Sequence, residues 1–453
     1  MQSARATPEP GSAPVTPGAA SALSPDRWIG RALRTLMPSA VRMIGAGFQF
    51  LSTVMVARAL GDGPSAAFFF WSSVLMTSGP IASFGLEQVA LRDVPRRERD
   101  DPGSVGGFVA DLRGVALAIS VLLGLVWTAY ALARQSAPEG PRLWHFLPLV
   151  AQGAIALALV NGESLKALSK PTLGTVYGHV LPTGLFCAFV ATGTYLAPQL
   201  GSPGVLALYT ASFVVGAALA RYAPGGAFRA RFLSWPGPSE LRRLLAEGLP
   251  ICCVSLFGAL SFIVPLAICE QTRPAAEIAH LTAAFRISLL FVVISVAIHS
   301  VFAPALSRSA EESAPLRPVM RVYGKAIAIA LLTLALPLAV GMALPGPIMS
   351  IFGADFAEGA GHLRLLLLLQ LLSLIMGPVP YLLLMTGHSR FLAKLGVLKL
   401  VISVGLSALL VPGIGPTGMI AAMGVAFLGE GVVGVAYAVA KMRALERRKE
   451  VSP

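Results

Sequence analysis

The sequence predicts an all-α membrane protein with twelve transmembrane helices in two six-helix lobes, related by a pseudo-two-fold axis along the membrane normal. Three observations predict this fold. Of the 453 residues, 55% are hydrophobic and 13% are charged, whereas soluble proteins have about 25% charged residues. Twelve apolar stretches reach the length of about 20 residues that a transmembrane helix needs. Short motifs also recur between the two halves of the chain at a nearly constant offset.

The twelve apolar stretches are interpreted as helices because backbone groups that face lipid find no water to bond. They leave only tails and short connections, which excludes a nucleotide-binding domain, and no G-x-x-x-x-G-K-[ST] motif occurs. The predicted spans cover residues 36–57, 66–86, 112–133, 146–165, 173–197, 204–220, 249–268, 281–303, 326–344, 363–385, 395–411 and 419–440.

The segments around these spans divide the chain into five parts. Residues 1–26 are rich in Pro, Ala and Ser, which predicts a disordered cytoplasmic tail. We expect an N-terminal six-helix lobe over 27–222, a cytoplasmic linker over 223–245, a C-terminal six-helix lobe over 246–440 and a basic cytoplasmic tail over 441–453.

The net charge of +13 is carried mainly by connections on one side of the membrane. With the N-terminus inside, 26 of the 35 Lys and Arg residues lie in the tails and the even-numbered connections, and four lie in the odd-numbered ones. Cytoplasmic loops are rich in Lys and Arg. Both termini are therefore predicted to be cytoplasmic, and the charge is assigned to topology and membrane lipids rather than to nucleic acid. The four cysteines lie in or beside apolar stretches without a zinc spacing, so no metal is predicted.

Matching motifs indicate an internal repeat. Gly201-Ser-Pro-Gly204, before the sixth span, matches Gly415-Pro-Thr-Gly418, before the twelfth, at an offset of 214 residues. Pro38 and Pro250 open the first and seventh spans, 212 residues apart, and a third pair of motifs lies 225 residues apart. Parallel repeats of this kind are a transporter architecture.

Short motifs follow one another in a particular order between about residues 30 and 445. They are Val56-Ala-Arg58-Ala-Leu60-Gly61, Phe84-Gly85-Leu86-Glu87, Glu247-Gly-Leu-Pro250, Ala283-Ala-Phe-Arg286, Ile351-Phe352-Gly353, Gly387-His-Ser-Arg390 and Val411-Pro-Gly-Ile-Gly415. This order resembles the polysaccharide transporter family, the Wzx-type O-antigen and exopolysaccharide flippases of the multidrug/oligosaccharidyl-lipid/polysaccharide exporter superfamily.

The resemblance implies two lobes around a central cavity and transport by alternating access. It implies a flippase that moves an undecaprenyl-diphosphate-linked oligosaccharide from the cytoplasmic to the periplasmic leaflet of the bacterial inner membrane, for polysaccharide biosynthesis. Such a protein is not an enzyme and needs no cofactor. A polysaccharide polymerase and a chain-length regulator are its expected partners.

An anionic head group needs cations that face an internal cavity, because a charge that faces lipid is costly. Arg42 and Arg286 lie about 8–9 Å inside their spans from opposite ends, so Arg42 is predicted nearer the cytoplasm and Arg286 nearer the periplasm. Each is a candidate for diphosphate binding, with a structural ion pair as the alternative. Arg58, at the outer mouth, is a third candidate, with a structural role at the helix end as its alternative. Arg113 and Arg364, close to helix starts, are expected to snorkel to the head groups.

The last lobe contains a predicted charge pair. Glu430 lies near the middle of the twelfth span, and Lys399 lies about 6 Å above the start of the eleventh. Burying either charge alone is expensive, so we expect the two to pair. If they do not, Glu430 becomes a candidate proton carrier for ion coupling.

The tenth span contains a predicted hinge. Gly377, Pro378 and Pro380 follow one another closely, and each proline removes a backbone donor from the helix. Transporters tolerate such breaks where they line a cavity, although a kink without functional meaning is the alternative.

Two other functions stay open. The first is ion-coupled drug or cation antiport, for which the same superfamily uses carboxylates in the lobes; the first and seventh spans contain no Asp or Glu. The second is a membrane-embedded polysaccharide polymerase or glycosyltransferase, which needs an acid or base on an external loop. His145, Asp355 and Glu358 are scattered and form no such site.

Overall fold

A computed structural model describes residues 25–134, 142–197, 200–223, 231–311, 316–376 and 389–451, and these ranges are almost entirely helical, with no strand. The longer helices of this described part are labelled in chain order. They are α1 (Pro25–Leu60), α2 (Asp62–Ala82), α3 (Leu86–Asp100), α4 (Val105–Arg134), α5 (Leu147–Ala167), α6 (Pro171–Leu196), α7 (Ser202–Leu219), α8 (Pro238–Thr272), α9 (Ala275–Glu311), α10 (Leu316–Ala343), α11 (Ala360–Met376), α12 (Ser389–Ile414) and α13 (Pro416–Val451).

The described helices form a multi-pass membrane protein. Ten of them contain segments long and apolar enough to cross a membrane, and α2 with α3 makes an eleventh span if the two are joined across their bend of 44°. α11 begins the predicted tenth span, whose remainder lies outside the described residues. The predicted all-α membrane fold is confirmed, and the count of twelve spans stays a prediction.

Three of the predicted boundaries differ from the observed helices. The predicted linker 223–245 is shorter, because α8 already begins at Pro238, a residue suited to the first turn of a helix. The predicted tail 441–453 continues α13 as a helix as far as Val451. α1 begins at Pro25, two residues before the predicted lobe. In the first two cases a charged sequence extends a helix past its apolar span, and hydropathy does not detect such an extension.

α3 is a helix that the apolar pattern does not predict. It carries four arginines, and it packs its apolar side against α4 and α5 through Leu86, Val89 and Val94. The chain bends into it at Phe84 and Gly85, which both have positive φ. A charged amphipathic helix of this kind is suited to a membrane surface rather than to the bilayer interior.

The helices form an N-terminal half, α1–α7, and a C-terminal half, α8–α13. In the N-terminal half, α5 packs on α2, α4 and α7, and α6 packs on α1 and α7. In the C-terminal half, α12 packs on α8 and α13, and α9 packs on α10 and α11. Aromatic and aliphatic side chains of both halves join in one large apolar cluster.

The two halves meet along a seam formed by α1, α2 and α3 on one side and α8 and α9 on the other. We call the end of the molecule with α3 and Pro238 the basic face, and the end with Leu60 and Ala275 the opposite face. Near the basic face the backbones approach closely, since a Cβ atom on Gly248 would lie 2.5 Å from the carbonyl oxygen of Phe84. Only glycine fits at this crossing.

Candidate functional site

A cavity of about 310 Å³ lies in the N-terminal half next to the seam. This volume is at the lower end of the range that ligand pockets have, about 300–1,000 Å³. Residues of α1, α2, α6, α7 and α9 line it, and Val292 is the contribution of the C-terminal half. The lining residues are Arg42, Gly45, Ala46, Gln49, Met76, Thr175, His179, Val180, Thr183, Phe213 and Val292.

The wall that α6 contributes has an unusual local structure. Residues Val176–Val180 form a π-helical turn inside the helix, and such turns are frequent at functional sites. Next to the turn α5 and α6 are in backbone contact, because a Cβ atom on Gly162 would lie 2.9 Å from the Cα atom of Gly178. This close packing and the wider turn orient Thr175, His179 and Thr183 toward the cavity.

The cavity lining is basic and neutral. Its polar residues are Arg42, Gln49, Thr175, His179 and Thr183, and its described lining includes no Asp or Glu. A cavity of this composition is suited to an anion rather than a cation.

Arg42, predicted to face a cavity near the cytoplasm, lines this cavity and is solvent-exposed. No ion pair of Arg42 is present among the described residues. Its role in binding a diphosphate stays a prediction.

Arg286 is buried in the seam, with 8% of its surface exposed. Its guanidinium donates to Thr53 Oγ1 at 3.2 Å and to Ser72 Oγ, and it lies 5.2 Å from the ring centroid of Phe69. Its Nε atom has no hydrogen-bond partner in the described part of the chain, and no carboxylate there pairs with it. Arg286 is therefore a buried cation that connects the two halves through neutral groups.

The hydroxyls of Thr53 and Ser72 are oriented to accept from Arg286. Thr53 donates its own proton to the Gln49 carbonyl at 2.8 Å, and Ser72 donates to the Phe69 carbonyl at 3.3 Å. Each hydroxyl oxygen then has lone pairs free for the guanidinium. Two neutral acceptors replace the counter-ion that a buried cation usually has.

Arg286 lies about one helical turn beyond the cavity, toward the opposite face. Gln49, which lines the cavity, is one helical turn from Thr53, and Met76, which also lines it, is one turn from Ser72. Arg42 precedes Thr53 by eleven residues, about 16 Å along α1. The two cations therefore lie at different heights along α1, with Arg42 in the cavity and Arg286 nearer the opposite face. Their depths relative to the two membrane surfaces stay a prediction.

Arg58 lies at the opposite face and outside the cavity. It is exposed, and its Nε donates to the carbonyl oxygen of Ile351 in the C-terminal half at 2.8 Å. Beside it, the rings of Phe50 and Phe352 meet edge to face at 5.7 Å. The geometry favours the structural alternative for Arg58 over direct contact with substrate in this conformation.

The opposite face has two further contacts between the halves. Tyr130 donates to a carboxylate oxygen of Glu270 at 3.2 Å, and His280 Nε2 lies 4.0 Å from Asp62 Oδ2. The seam is closed at this face.

Lys399 and Glu430 lie in contact, as the sequence predicts. Lys399 Nζ is 2.9 Å from Glu430 Oε2, and their side chains are 13% and 18% exposed. The ammonium also lies 4.8 Å from the centroid of the Phe427 ring. Whether the pair takes part in coupling stays a prediction. The predicted hinge residues Gly377, Pro378 and Pro380 lie outside the described residues.

Arg113 does not snorkel as predicted. It is fully buried, it donates from Nε to Asn161 Oδ1 at 2.6 Å, and it donates from a terminal nitrogen to the Phe232 carbonyl at 3.3 Å. α4 begins at Val105, so Arg113 is well inside the helix rather than at its start.

The segment before α8 covers Arg113 and is bonded to α4. Ser234 donates its backbone N–H to the Ala110 carbonyl at 3.2 Å and its hydroxyl to Asp111. A Cβ atom on Gly114 would lie 2.1 Å from the Ser234 carbonyl oxygen, so the helix needs glycine at this contact.

At the basic face, ion pairs connect α3 to α8. Asp93 pairs with Arg92 at 2.7 Å and with Arg243 at 3.0 Å, and Arg92 also pairs with Glu247. Burial by itself would raise the pKa of Asp93, but the two arginines outweigh it and lower that pKa below its ordinary value. A second pair joins Arg97 to Glu240 at 2.8 Å. The sequence alone does not reveal this network, because the partners are about 150 residues apart.

Metal binding has no support in the described part of the chain, where no three His, Cys, Asp or Glu side chains are grouped closely enough to hold an ion.

Comparisons with known proteins give the fold. No protein-family model and no curated protein matches the chain. The inward-facing conformation of a multidrug resistance MATE family transporter of the MOP superfamily has a TM-score of 0.73 at 18% identity, and the match covers 91% of this chain and 99% of that one. An outward-facing conformation of such a transporter has a TM-score of 0.62 at 18% identity, covering 91% and 96%.

A third solved structure is a MOP superfamily transporter from Pyrococcus furiosus, for which a reverse polarity of the binding pocket is said to suggest a different function. It has a TM-score of 0.62 at 17% identity, and the match covers 91% of this chain and 96% of that one. The chain therefore has the two-lobe fold of these transporters.

Proposed function

We propose that this protein is an alternating-access transporter of a phosphate-bearing, lipid-anchored anion, such as an undecaprenyl-diphosphate-linked oligosaccharide. It would move this substrate from the cytoplasmic to the periplasmic leaflet, for polysaccharide biosynthesis. The observation that carries the proposal is the charge of the cavity: Arg42 lines it, Arg286 lies about one helical turn beyond it, and its described lining has no carboxylate.

The size of the cavity supports a head group as the bound part. A cavity of about 310 Å³ is too small for a long polyprenyl chain together with its sugars. The chain would stay in the bilayer while the diphosphate enters between α1 and α9. Arginine suits this role because its planar fork binds phosphate oxygens in pairs.

The conformation supports alternating access. With the basic face toward the cytoplasm, as the positive-inside count predicts, the closed face is the periplasmic one. Separation of the halves at that face would expose Arg286, whose neutral partners cost less to leave than a counter-ion would.

The second candidate is ion-coupled drug or cation antiport, and the comparisons fit it better than they fit flipping, because multidrug resistance MATE transporters are among the solved structures that match. The cavity charge argues against a cationic drug. Lys399 and Glu430 form the described ion pair of the C-terminal half that could serve coupling in such an antiporter.

A reconstitution experiment separates the two. The full chain in liposomes is supplied with a fluorescent polyprenyl-diphosphate sugar or, in parallel, with ethidium. We expect translocation of the diphosphate only, loss of it in Arg42→Ala, and no change in Arg364→Ala, a matched control whose exposed side chain bonds the Met342 carbonyl away from the cavity. Ethidium transport without diphosphate translocation would contradict the proposal.

A further inference from the structure

His179 is a titratable group in the cavity that the sequence analysis did not single out. It lies in the π-helical turn Val176–Val180 of α6, and it is solvent-accessible within the cavity. Its backbone carbonyl accepts from Thr183 Oγ1 at 2.6 Å. Its imidazole makes no hydrogen bond or ion pair to another side chain in the described residues, so it is free for a ligand.

The orientation of His179 depends on the π-helical turn. A turn of this kind adds one residue per hydrogen-bonded ring and so rotates the residues after it relative to a regular α-helix. Within the turn, Gly178 lies against Gly162 of α5, and Val180 contacts Gly45 of α1. These two contacts fix the turn, and His179 lies between them.

The charged groups that face His179 are cations. Arg42 faces it from α1, and Lys166 faces it from α5, where Lys166 also pairs with Glu163 at 2.6 Å. The other elements contribute apolar lining residues, which are Met76 from α2, Phe213 from α7 and Val292 from α9, and Tyr177 is the titratable neighbour on its own turn. An anion placed beside His179 would therefore meet only cationic and neutral groups in the described lining, and it would favour the protonated imidazole.

We infer that His179 binds the anionic head group together with Arg42, and that it binds in the protonated form. This inference rests on the proposed function and adds a second binding residue and a pH dependence to it. Because the anion favours the protonated imidazole, binding takes up a proton. The affinity must then rise as the pH falls through the pKa that the imidazole has in the complex.

The test measures binding of farnesyl diphosphate to the full chain in detergent at about pH 6 and about pH 8. We expect wild-type affinity to be about tenfold higher at the lower pH, the change that corresponds to one pKa unit. His179→Gln should bind with little difference between the two pH values. Because the ionisation of the ligand is common to all variants, the difference between their slopes reports the histidine.

His145→Gln is the matched control, since this histidine lies just before α5 at the other end of that helix from Lys166. It should keep the wild-type slope. A wild-type slope in His179→Gln would overturn the inference and leave the proposed cargo intact. Absence of farnesyl diphosphate binding to the wild type would overturn the cargo and the inference together.

Two measurements complete the design. Calorimetry of the wild type in buffers of different ionisation enthalpy should show proton uptake at neutral pH, and no uptake would overturn the inference even if His179→Gln fails to fold. Competition with inorganic pyrophosphate and with farnesol distinguishes the sources of the anion. If pyrophosphate and farnesol each compete only weakly with farnesyl diphosphate, the result supports a lipid head group as the ligand. If pyrophosphate binds as tightly as farnesyl diphosphate, the lipid-linked cargo is overturned.

Discussion

The two ends of the seam are built from different chemistry. At the opposite face single contacts join the halves: Arg58 donates to a backbone carbonyl, Tyr130 donates to Glu270, and a histidine lies 4.0 Å from an aspartate. Closer to the cavity, Arg286 donates to two hydroxyls. At the basic face α3 and α8 are joined by a network of paired charges.

The difference indicates which end opens. At the opposite face each of these contacts is a single bond, so it is lost as soon as the halves move apart there. At the basic face Arg92, Asp93 and Arg243 each have at least two partners, so a charge keeps one partner when one contact lengthens. The seam is therefore suited to separate at the opposite face and to pivot at the basic face, which is the outward-opening half of an alternating-access cycle.

The largest expected effect on transport comes from the buried cation of the opening end. Arg286→Ala should lower transport by about 10–100-fold, because a hydrogen bond to a charged group contributes about 1.5–3 kcal/mol. Thermal stability should fall little, since the substitution strands no carboxylate. Arg286→Lys should restore transport only in part, because a lysine cannot bond Thr53 and Ser72 as a fork. Full transport by the double variant Arg42→Ala/Arg286→Ala at normal expression would contradict this account.

The largest expected effect on stability tests whether an ion pair matters when it lies away from the seam. Lys399 and Glu430 form an ion pair within the C-terminal half, and this pair does not connect the two halves. Lys399→Met or Glu430→Gln alone should lower stability by up to about 3–5 kcal/mol, and the double variant by less, because each single change strands a buried charge. Thermal unfolding of the three variants measures this coupling.

Simple addition of the two stability losses would show that the residues are independent. Glu430 would then become the candidate proton carrier, and Glu430→Gln should abolish the pH dependence of transport.

A smaller effect is expected at the pivot. The folded pKa of Asp93 is lowered, so its ion pairs stabilise the protein above the ordinary carboxyl pKa, and this stability is lost as the pH falls through the folded value. Because Arg92 and Arg243 are 48% and 37% exposed, solvent limits the contribution to about 1 kcal/mol. Melting temperatures between about pH 3 and about pH 6 should fall more steeply for the wild type than for Asp93→Asn. Parallel curves would show that the network does not hold the pivot.

The smallest effect is expected at Arg58. Removing its single exposed bond to Ile351 should shift the balance toward the open opposite face by about 0.5–1 kcal/mol, a factor of about two to five. Spin labels at the exposed positions 133 and 275, one on each half, measure the opening. Arg273→Ala is the matched control, because Arg273 bonds the carbonyls of Val411 and Pro412 within the C-terminal half. An equal shift in both variants would contradict a role specific to the seam.

Apolar length predicted most of the helices, and the rise of a helix predicted that Lys399 and Glu430 could meet. Both depend on local geometry that a single sequence carries. The position of Arg113 was predicted wrongly, because the segment that covers it, near Ser234, is about 120 residues away. His179 was missed because a π-helical turn changes which side of the helix a residue faces, and this turn lies where Gly178 contacts Gly162 on another helix.

The bonds between Ser234, Phe232 and α4 have a consequence for how the protein can be assembled. The segment that precedes α8 is hydrogen-bonded to α4 of the N-terminal half, in addition to the contacts along the seam. The two halves therefore do not need an unbroken main chain between them to pack in their correct relative position. Two fragments divided between residues 226 and 227 and expressed from separate genes should recognise each other in the membrane and reconstitute the whole protein.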